Sequence, residues 1–217
     1  MSRCLVVAAK QPERGKAKTR IASVLGDARA AELCRCALLD TLALALSISD
    51  VTHALSYTPP TDDARRYFAE IAPAFLLMPQ SGATLGERLG DTLARLLARF
   101  SPVVMIGSDG PDLPAAFLTR AFDLLRDRMD VVLGPATDGG YYLIGMRSMH
   151  PTLFERIDWS TEAVAQQTRE RASEAALNLV ELPRWHDLDT VADLQTLVDP
   201  GAPLTRAFVA GLNAKGT

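Results

Sequence analysis

A chain of 217 residues has room for one domain of ordinary size with one substantial core. Hydrophobic residues make up 48% and charged residues 23%, which excludes whole-chain disorder, a collagen-like repeat and a disulfide-stapled scaffold. A formal net charge of −3 excludes a strongly basic nucleic-acid-binding domain, so no nucleic-acid partner is expected.

Met1 to Lys10 is too short for a signal-peptide core and breaks at a lysine, so no export leader is expected. Within it, Leu5 to Ala9 is a continuous apolar run, the pattern of a buried parallel strand. Lys10 to Thr19 is polar, contains Pro12 and Gly15, and reads as a loop. Ile21, Val24 and Leu25 have helical spacing, and Gly26-Asp27 interrupts them. A longer helix is expected from about Ala28 to Leu46, with Leu33, Ala37, Thr41 and Ala45 on one stripe. Its apolar stretch from Ala37 to Ile48 is 12 residues and includes Asp40, a buried helix and not a membrane span. Cys4, Cys34 and Cys36 are an odd set without paired spacing, so they read as reduced packing thiols of a cytoplasmic protein.

Val51 to Thr58 is the next strand, stopped by Pro59-Pro60. Asp62 to Ile71 reads as a helix and Phe75 to Met78 as a short strand. Thr84 and Glu87 have capping-box spacing before a helical face of Leu85, Leu89, Leu93, Leu96, Leu97 and Phe100. Val103 to Ile106 is the clearest buried strand, Ala115 to Arg128 a helix, and Val131 to Leu133 another strand. Asp138-Gly139-Gly140 marks a turn before a strand from Tyr141 to Met146. Ser160 is placed to cap a helix running to Glu174, and Leu177 to Leu182 is a last strand. Thr190 and Asp193 open a helix carrying Val191, Leu194 and Leu197, and Pro203 to Leu212 forms a terminal helix. Strands alternating with helices require an α/β fold: a mainly parallel sheet covered on both faces, with a small antiparallel extension after residue 134. The alanine- and leucine-rich helix faces suit a core or a homodimer interface equally.

Ligands of such sheets gather beyond the carboxyl ends of the strands, where three polar clusters fall. Lys10 to Arg20 follows the first strand; backbone amides at a helix start, reinforced by Lys and Arg, can hold phosphate. It is neither a Walker A loop nor a Gly-x-Gly-x-x-Gly loop. Gly107 to Asp112 follows the best strand and offers Asp109 and Asp112, oxygen ligands for a hard divalent cation; an N-cap role is equally natural for Asp112. Gly134 to Tyr142 offers Asp138 as a second carboxylate beside Gly139 and Gly140, whose backbone allows close approach to a ligand. Tyr141 and Tyr142 could line a pocket, though core and rim packing suits the pair better. Weaker signals are Asp187, within reach of a metal or acceptor, His186, more natural as an interface histidine than a base, and Asp189 or Thr190 as a helix cap. No zinc constellation surrounds His53 or His150, and Ser108 has no histidine partner or nucleophile elbow.

Lys10 through Arg20, Ile106 through Pro114 and Leu133 through Gly145 resemble the DUF2064 family. That family belongs to the GT-A nucleotide-diphospho-sugar transferase superfamily and includes members called selenodomain-associated transferase 1. The likeness continues through Leu153-Phe154, Trp159-Ser160-Thr161 and Asp187 to Thr190. It implies that residues 1–217 form a single-domain Rossmann-like GT-A fold with a nucleotide at the first loop. Carried onto this sequence, Lys18 and Arg20 contact the nucleotide phosphates; Lys10, Gly15, Gly139 and Gly140 are further candidate nucleotide-binding residues. Asp109 takes the metal-binding position, joined by Asp112, and Asp138 lies beside the donor or acceptor. The spacing Asp109-Gly110-Pro111-Asp112 departs from the usual Asp-x-Asp. The first loop also lacks the fuller glycine-rich signature of the molybdenum-cofactor and phospholactate nucleotidyltransferases.

Two transferase chemistries follow, each assisted by Mg²⁺ or Mn²⁺. One moves a sugar from a nucleoside-diphosphate sugar to a small-molecule acceptor, with Asp138 orienting or deprotonating the acceptor hydroxyl. The other joins a nucleoside triphosphate to a phosphorylated small molecule and releases pyrophosphate. The family's naming favours sugar transfer. A nucleotide-binding protein without catalysis is the reading from a different class, motivated by the broken Asp-x-Asp pattern.

Overall fold

The structure, a computed structural model, describes residues 1–127, 129–197 and 200–213. Its centre is a seven-stranded sheet: β1 (Arg3–Lys10), β2 (Val51–Thr58), β3 (Leu76–Pro79), β4 (Val103–Gly107), β5 (Val131–Pro135), β6 (Tyr141–Met146) and β7 (Leu179–Glu181). The spatial order is β3-β2-β1-β4-β6-β5-β7. Only β6 runs against its neighbours, pairing antiparallel with both β4 and β5.

The strand cores are apolar on both faces because helices cover both. Along β1, Leu5 and Val7 enter one core and Cys4 and Val6 the other, as period-two alternation demands. The first core lies under α2 (Asp27–Leu46), α3 (Asp62–Ile71) and α5 (Ala115–Arg126). The second lies under α4 (Leu85–Leu97) and α6 (Val164–Glu174). A third cluster joins Ile21 of α1 (Thr19–Leu25) and Leu33 of α2 to Leu188, against which Phe208 and Val209 of α7 (Pro203–Asn213) pack. Asp40, buried in the middle of α2, caps α7 from outside. It accepts hydrogen bonds from the Leu204 and Thr205 amides at 3.1 and 2.8 Å and from the Thr205 hydroxyl at 2.7 Å. No helix among the described residues is long and apolar enough to cross a membrane.

The capping box at Thr84 and Glu87 forms as its spacing requires. The antiparallel strand expected after residue 134 forms as β6, and it lies inside the sheet between β4 and β5. Two expectations change. Ser160 does not cap α6: it sits in a turn at φ 66°, and the helix begins at Val164. The helix expected from Thr190 is a single short turn, Ala192–Gln195. Asp193 Oδ2 there accepts from the Asp189 amide and from the amide and hydroxyl of Thr190, so Asp193 is the capping group. The described part of α5 ends at Arg126; its expected end at Arg128 lies outside the described residues.

Candidate active site

A cleft of about 580 Å³ opens at the carboxyl ends of β1, β2 and β4. The loop after β1 forms one wall, with Lys10, Lys16, Lys18 and Arg20 all reaching it. Gly15, at φ 74°, bends this loop, and the Lys10 ammonium donates to the Lys16 carbonyl at 2.9 Å. Lys18 takes the left-handed conformation, φ 45° and ψ 56°, which L-residues adopt at a cost in backbone strain. That geometry turns its side chain inward, to 7% exposure. The ammonium lies 2.6 Å from Asp109 Oδ1 and 3.0 Å from Asp189 Oδ1. Burial alone would lower the Lys18 pKa, but the two carboxylates outweigh it and hold the ammonium well above its ordinary range. α1 has seven residues, so cationic side chains, more than a helix N-terminus, give this wall its charge.

Asp109 follows β4 and stays half exposed. Its carbonyl accepts from the Leu188 amide at 2.9 Å, which ties the loop to residues 185–189. The same strap is laced to the β5–β6 loop: the Trp185 amide donates to Pro135 O at 3.1 Å, and the Thr137 amide to Trp185 O at 2.9 Å. One extended segment thus gathers loops that are far apart in sequence. It brings Asp187 and Asp189 to Asp109 and Asp138. The Asp187 carboxyl is pushed up to about 7, first by burial, then by Asp109 and Asp138, with Asp189 adding and Lys18 opposing.

The sequence-derived residues separate here. Lys10, Lys18, Arg20 and Asp109 meet at one cleft. Asp138 is held by its own turn, with Oδ1 accepting from the Gly140 amide at 2.8 Å. Gly139, at φ 92°, has no room for a side chain: a Cβ would lie 2.1 Å from the Glu162 carbonyl oxygen. Asp112 does not face the cleft. Its side chain is fully buried, with Oδ1 3.3 Å from Trp185 Nε1 and Oδ2 3.0 Å from His186 Nε2. It staples the strap to the β4 loop, and His186 is spent as its partner. Tyr142 is likewise structural, with its ring over Gly134 and its hydroxyl donating to Pro183 O at 2.9 Å.

Two features, the Asp189–Lys18 pair and Arg88, escaped the sequence reading, while Tyr141 lines the cleft as one of its two readings allowed. Asp189 pairs with Lys18 across 171 positions, a contact no local pattern encodes. Arg88 of α4 and Tyr141 both line the cleft, and Arg88 Nε and Tyr141 Oη are buried with no hydrogen-bond partner among the described residues. Buried polar atoms of this kind are costly unless a ligand or water engages them.

The carboxylates suit a hard cation. Asp109 and Asp187 supply oxygen donors, and the Asp187 pKa is raised first by burial and then by the neighbouring Asp109 and Asp138 carboxylates. No group of three metal-ligating side chains is preassembled among the described residues. Magnesium sites commonly use one or two carboxylates plus substrate phosphates, so two protein donors fit.

The architecture recurs in known proteins. The chain is 34% identical to a Desulfovibrio desulfuricans G20 protein provisionally named a nucleotide-diphospho-sugar transferase, with a TM-score of 0.90 over 99% of this chain and 96% of that one. It is 33% identical over 138 residues to the 3-phospho-D-glycerate guanylyltransferase of Phenylobacterium zucineum strain HLK1, 62% of this chain and 63% of that protein's length. Rv0371c of Mycobacterium tuberculosis H37Rv, solved in complex with manganese, shares the fold at 16% identity and a TM-score of 0.58, over 92% of this chain and 100% of that one. The fold is the mixed, mostly parallel α/β architecture of enzymatic nucleotidyl- and GT-A-type transferases. With its match over residues 41–161, the chain belongs to DUF2064, the family described as uncharacterized protein conserved in bacteria.

Proposed function

We propose that residues 1–217 act as one nucleotidyltransferase domain that joins a nucleoside triphosphate to a phosphorylated small molecule and releases pyrophosphate. The observation that carries this reading is the charge layout: four cations between the end of β1 and the start of α1 line the cleft, and Lys18 is buried between Asp109 and Asp189. A triphosphate needs such a concentration of positive charge more than a diphosphate sugar does. The likeness to a guanylyltransferase supports it. Three free cysteines suit a reducing compartment such as the cytoplasm.

In this scheme Lys10, Lys18 and Arg20 hold the polyphosphate, and Gly15 shapes their loop. An oxygen of the acceptor phosphate forms a bond to the α-phosphorus. The bond from that phosphorus to the bridging oxygen of the β-phosphate breaks, and pyrophosphate leaves with the electron pair. A phosphate dianion carries no proton on the attacking oxygen, so the step needs no general base. Asp138, with Oδ1 fixed by Gly140, orients an acceptor hydroxyl through its other oxygen, and Gly139 and Gly140 set that turn. Asp109 and Asp187 are the residues that would hold Mg²⁺ or Mn²⁺; Asp112, already bound to Trp185 and His186, is left out of the set. The ion supplies Lewis-acid stabilisation of the phosphate charge.

The test is pyrophosphate release from each of the four nucleoside triphosphates, with Mg²⁺ or Mn²⁺, against phosphorylated acids including 3-phospho-D-glycerate. One triphosphate should be consumed, and Asp109→Asn should slow turnover at least about a hundredfold with an unchanged melting temperature. Normal turnover by that variant removes the assignment. Sugar transfer is the second reading, supported by the name of the Desulfovibrio relative. Nucleoside-diphosphate release from a diphosphate sugar, without pyrophosphate, would select it.

A further inference from the structure

Beyond the nucleotide cleft lies a second cavity of about 330 Å³, between the β5–β6 turn and α6. Thr137, Asp138, Glu162, Gln166, Arg169 and Arg184 supply its polar lining. We propose that this cavity binds the acceptor by its second charged end, a carboxylate or phosphate remote from the reacting oxygen, with Arg184 as its anchor. The proposal rests on the transferase reading for the word acceptor, not for the anion site itself.

Chain direction sets Arg184 there. Residues 182–185 run extended beside β5, with the Leu182 amide donating to Leu133 O and the Trp185 amide to Pro135 O. Neighbouring side chains of an extended segment point to opposite faces. Trp185 packs edge-on against Phe117 of α5, whereas Arg184 lines the cavity with Ala165, Gln166 and Arg169 of α6.

The charges in the cavity differ in what they are free to do. The Arg169 Nε lies 2.5 Å from Glu181, and Arg169 Nη1 donates to Gln166 Oε1 at 3.2 Å. Arg184 is exposed and pairs with no carboxylate among the described residues. A guanidinium is a planar fork matched to carboxylate and phosphate oxygens. Asp138 and Glu162, on the other walls, accept hydrogen bonds and repel a second anion. The ligand class is therefore a small hydroxylated compound: anionic at the Arg184 end, hydroxyl-bearing beside Asp138.

The position suits an acceptor. Asp138 lines this cavity, and its turn is hydrogen-bonded through Pro135 and Thr137 to Trp185 of the strap that carries Asp187. Arg184 and Asp187 are three residues apart on one strap, roughly 10 Å of extended chain. A small molecule with two charged ends spans such a gap.

Calorimetric titration of the full chain with 3-phospho-D-glycerate, D-glycerate and inorganic phosphate tests the site. Wild type should bind at least one probe at millimolar concentration or better, and the choice among them tells carboxylate from phosphate. Arg184→Gln should weaken that binding at least tenfold and Arg184→Lys should restore part of it. Binding of the consumed nucleoside triphosphate should stay within twofold in both variants. Failure of all three probes on the wild type overturns the proposal, as does Arg184→Gln binding them equally well. Arg184-dependent binding without nucleotide turnover would support the anion site and remove the transferase reading. Turnover indifferent to Arg184→Gln would keep the reading and overturn the site.

Discussion

Lys18→Met keeps the length of the side chain and removes its charge. Lys18 Nζ lies 2.6 and 3.0 Å from its two carboxylate partners. At water-like permittivity each contact amounts to about 1.5 kcal/mol, rising to about 6 kcal/mol at an effective permittivity near 20. Asp109 and Asp189 are 51% and 42% exposed, so screening favours the lower figure. Burying the ammonium opposes these gains, and the net change in folding stability should stay within about 2 kcal/mol. Nucleotide binding has no such compensation. A lost charge-assisted hydrogen bond to phosphate costs about 1.5–3 kcal/mol, or about 10- to 150-fold in affinity. Calorimetric titration with the preferred triphosphate and Mg²⁺, alongside a thermal melt, reads both effects. A variant that folds normally and binds nucleotide as tightly as wild type would refute the placement of phosphate at Lys18.

Three further outcomes are expected. Gly139→Ala should destabilise the protein by about 3 kcal/mol in urea unfolding, because its Cβ would meet the Glu162 backbone at 2.1 Å in a turn already at φ 92°; an unchanged midpoint would mean the turn relaxes freely. Asp40→Ala orphans buried donors of Thr205 and should cost about 2–4 kcal/mol, with Asp40→Asn recovering part of it; a neutral effect would show that α7 is held by packing alone. The Cys4 thiol is pushed up to about 12 by burial, with Arg99 opposing, and the Cys34 thiol to about 11 by burial and Asp109, with Lys18 and Lys10 opposing. Both should resist a disulfide reagent at pH 8 until the chain is denatured. Because the unfolded thiols ionise near 9.0 and the folded ones do not, these groups favour folding less as pH rises above that value.

What could be read from sequence was local. The strand at Val103 to Ile106 is an apolar run, and the helix after Thr84 carries its own start signal three residues on. Lys18 and Asp109 were legible because each follows a buried strand, where such sheets place ligands. Asp112 looked like a metal ligand because it stands three residues from Asp109. Its real partners, Trp185 and His186, are 73 and 74 positions away. Asp189 looked like a cap because a short polar residue before an apolar stripe has that signature, while Asp193 performs the capping. The antiparallel direction of β6 was legible from the Asp138-Gly139-Gly140 turn before it, but its place between β4 and β5 was not, because strand order is set by pairing with segments far away in the chain.

The strap at residues 185–189 also bears on when the protein becomes competent. β1, β2 and β4 can pair from the first half of the chain, and with them come Lys18 and Asp109. Asp187 and Asp189 arrive only when a late segment closes a loop of 171 positions onto Lys18. Long-range closure of this kind carries its entropic cost before its contacts repay it. A nascent or partly folded chain therefore presents an open basic loop and Asp109 without the two carboxylates of the strap. Under the proposed function, turnover would report that the strap has docked.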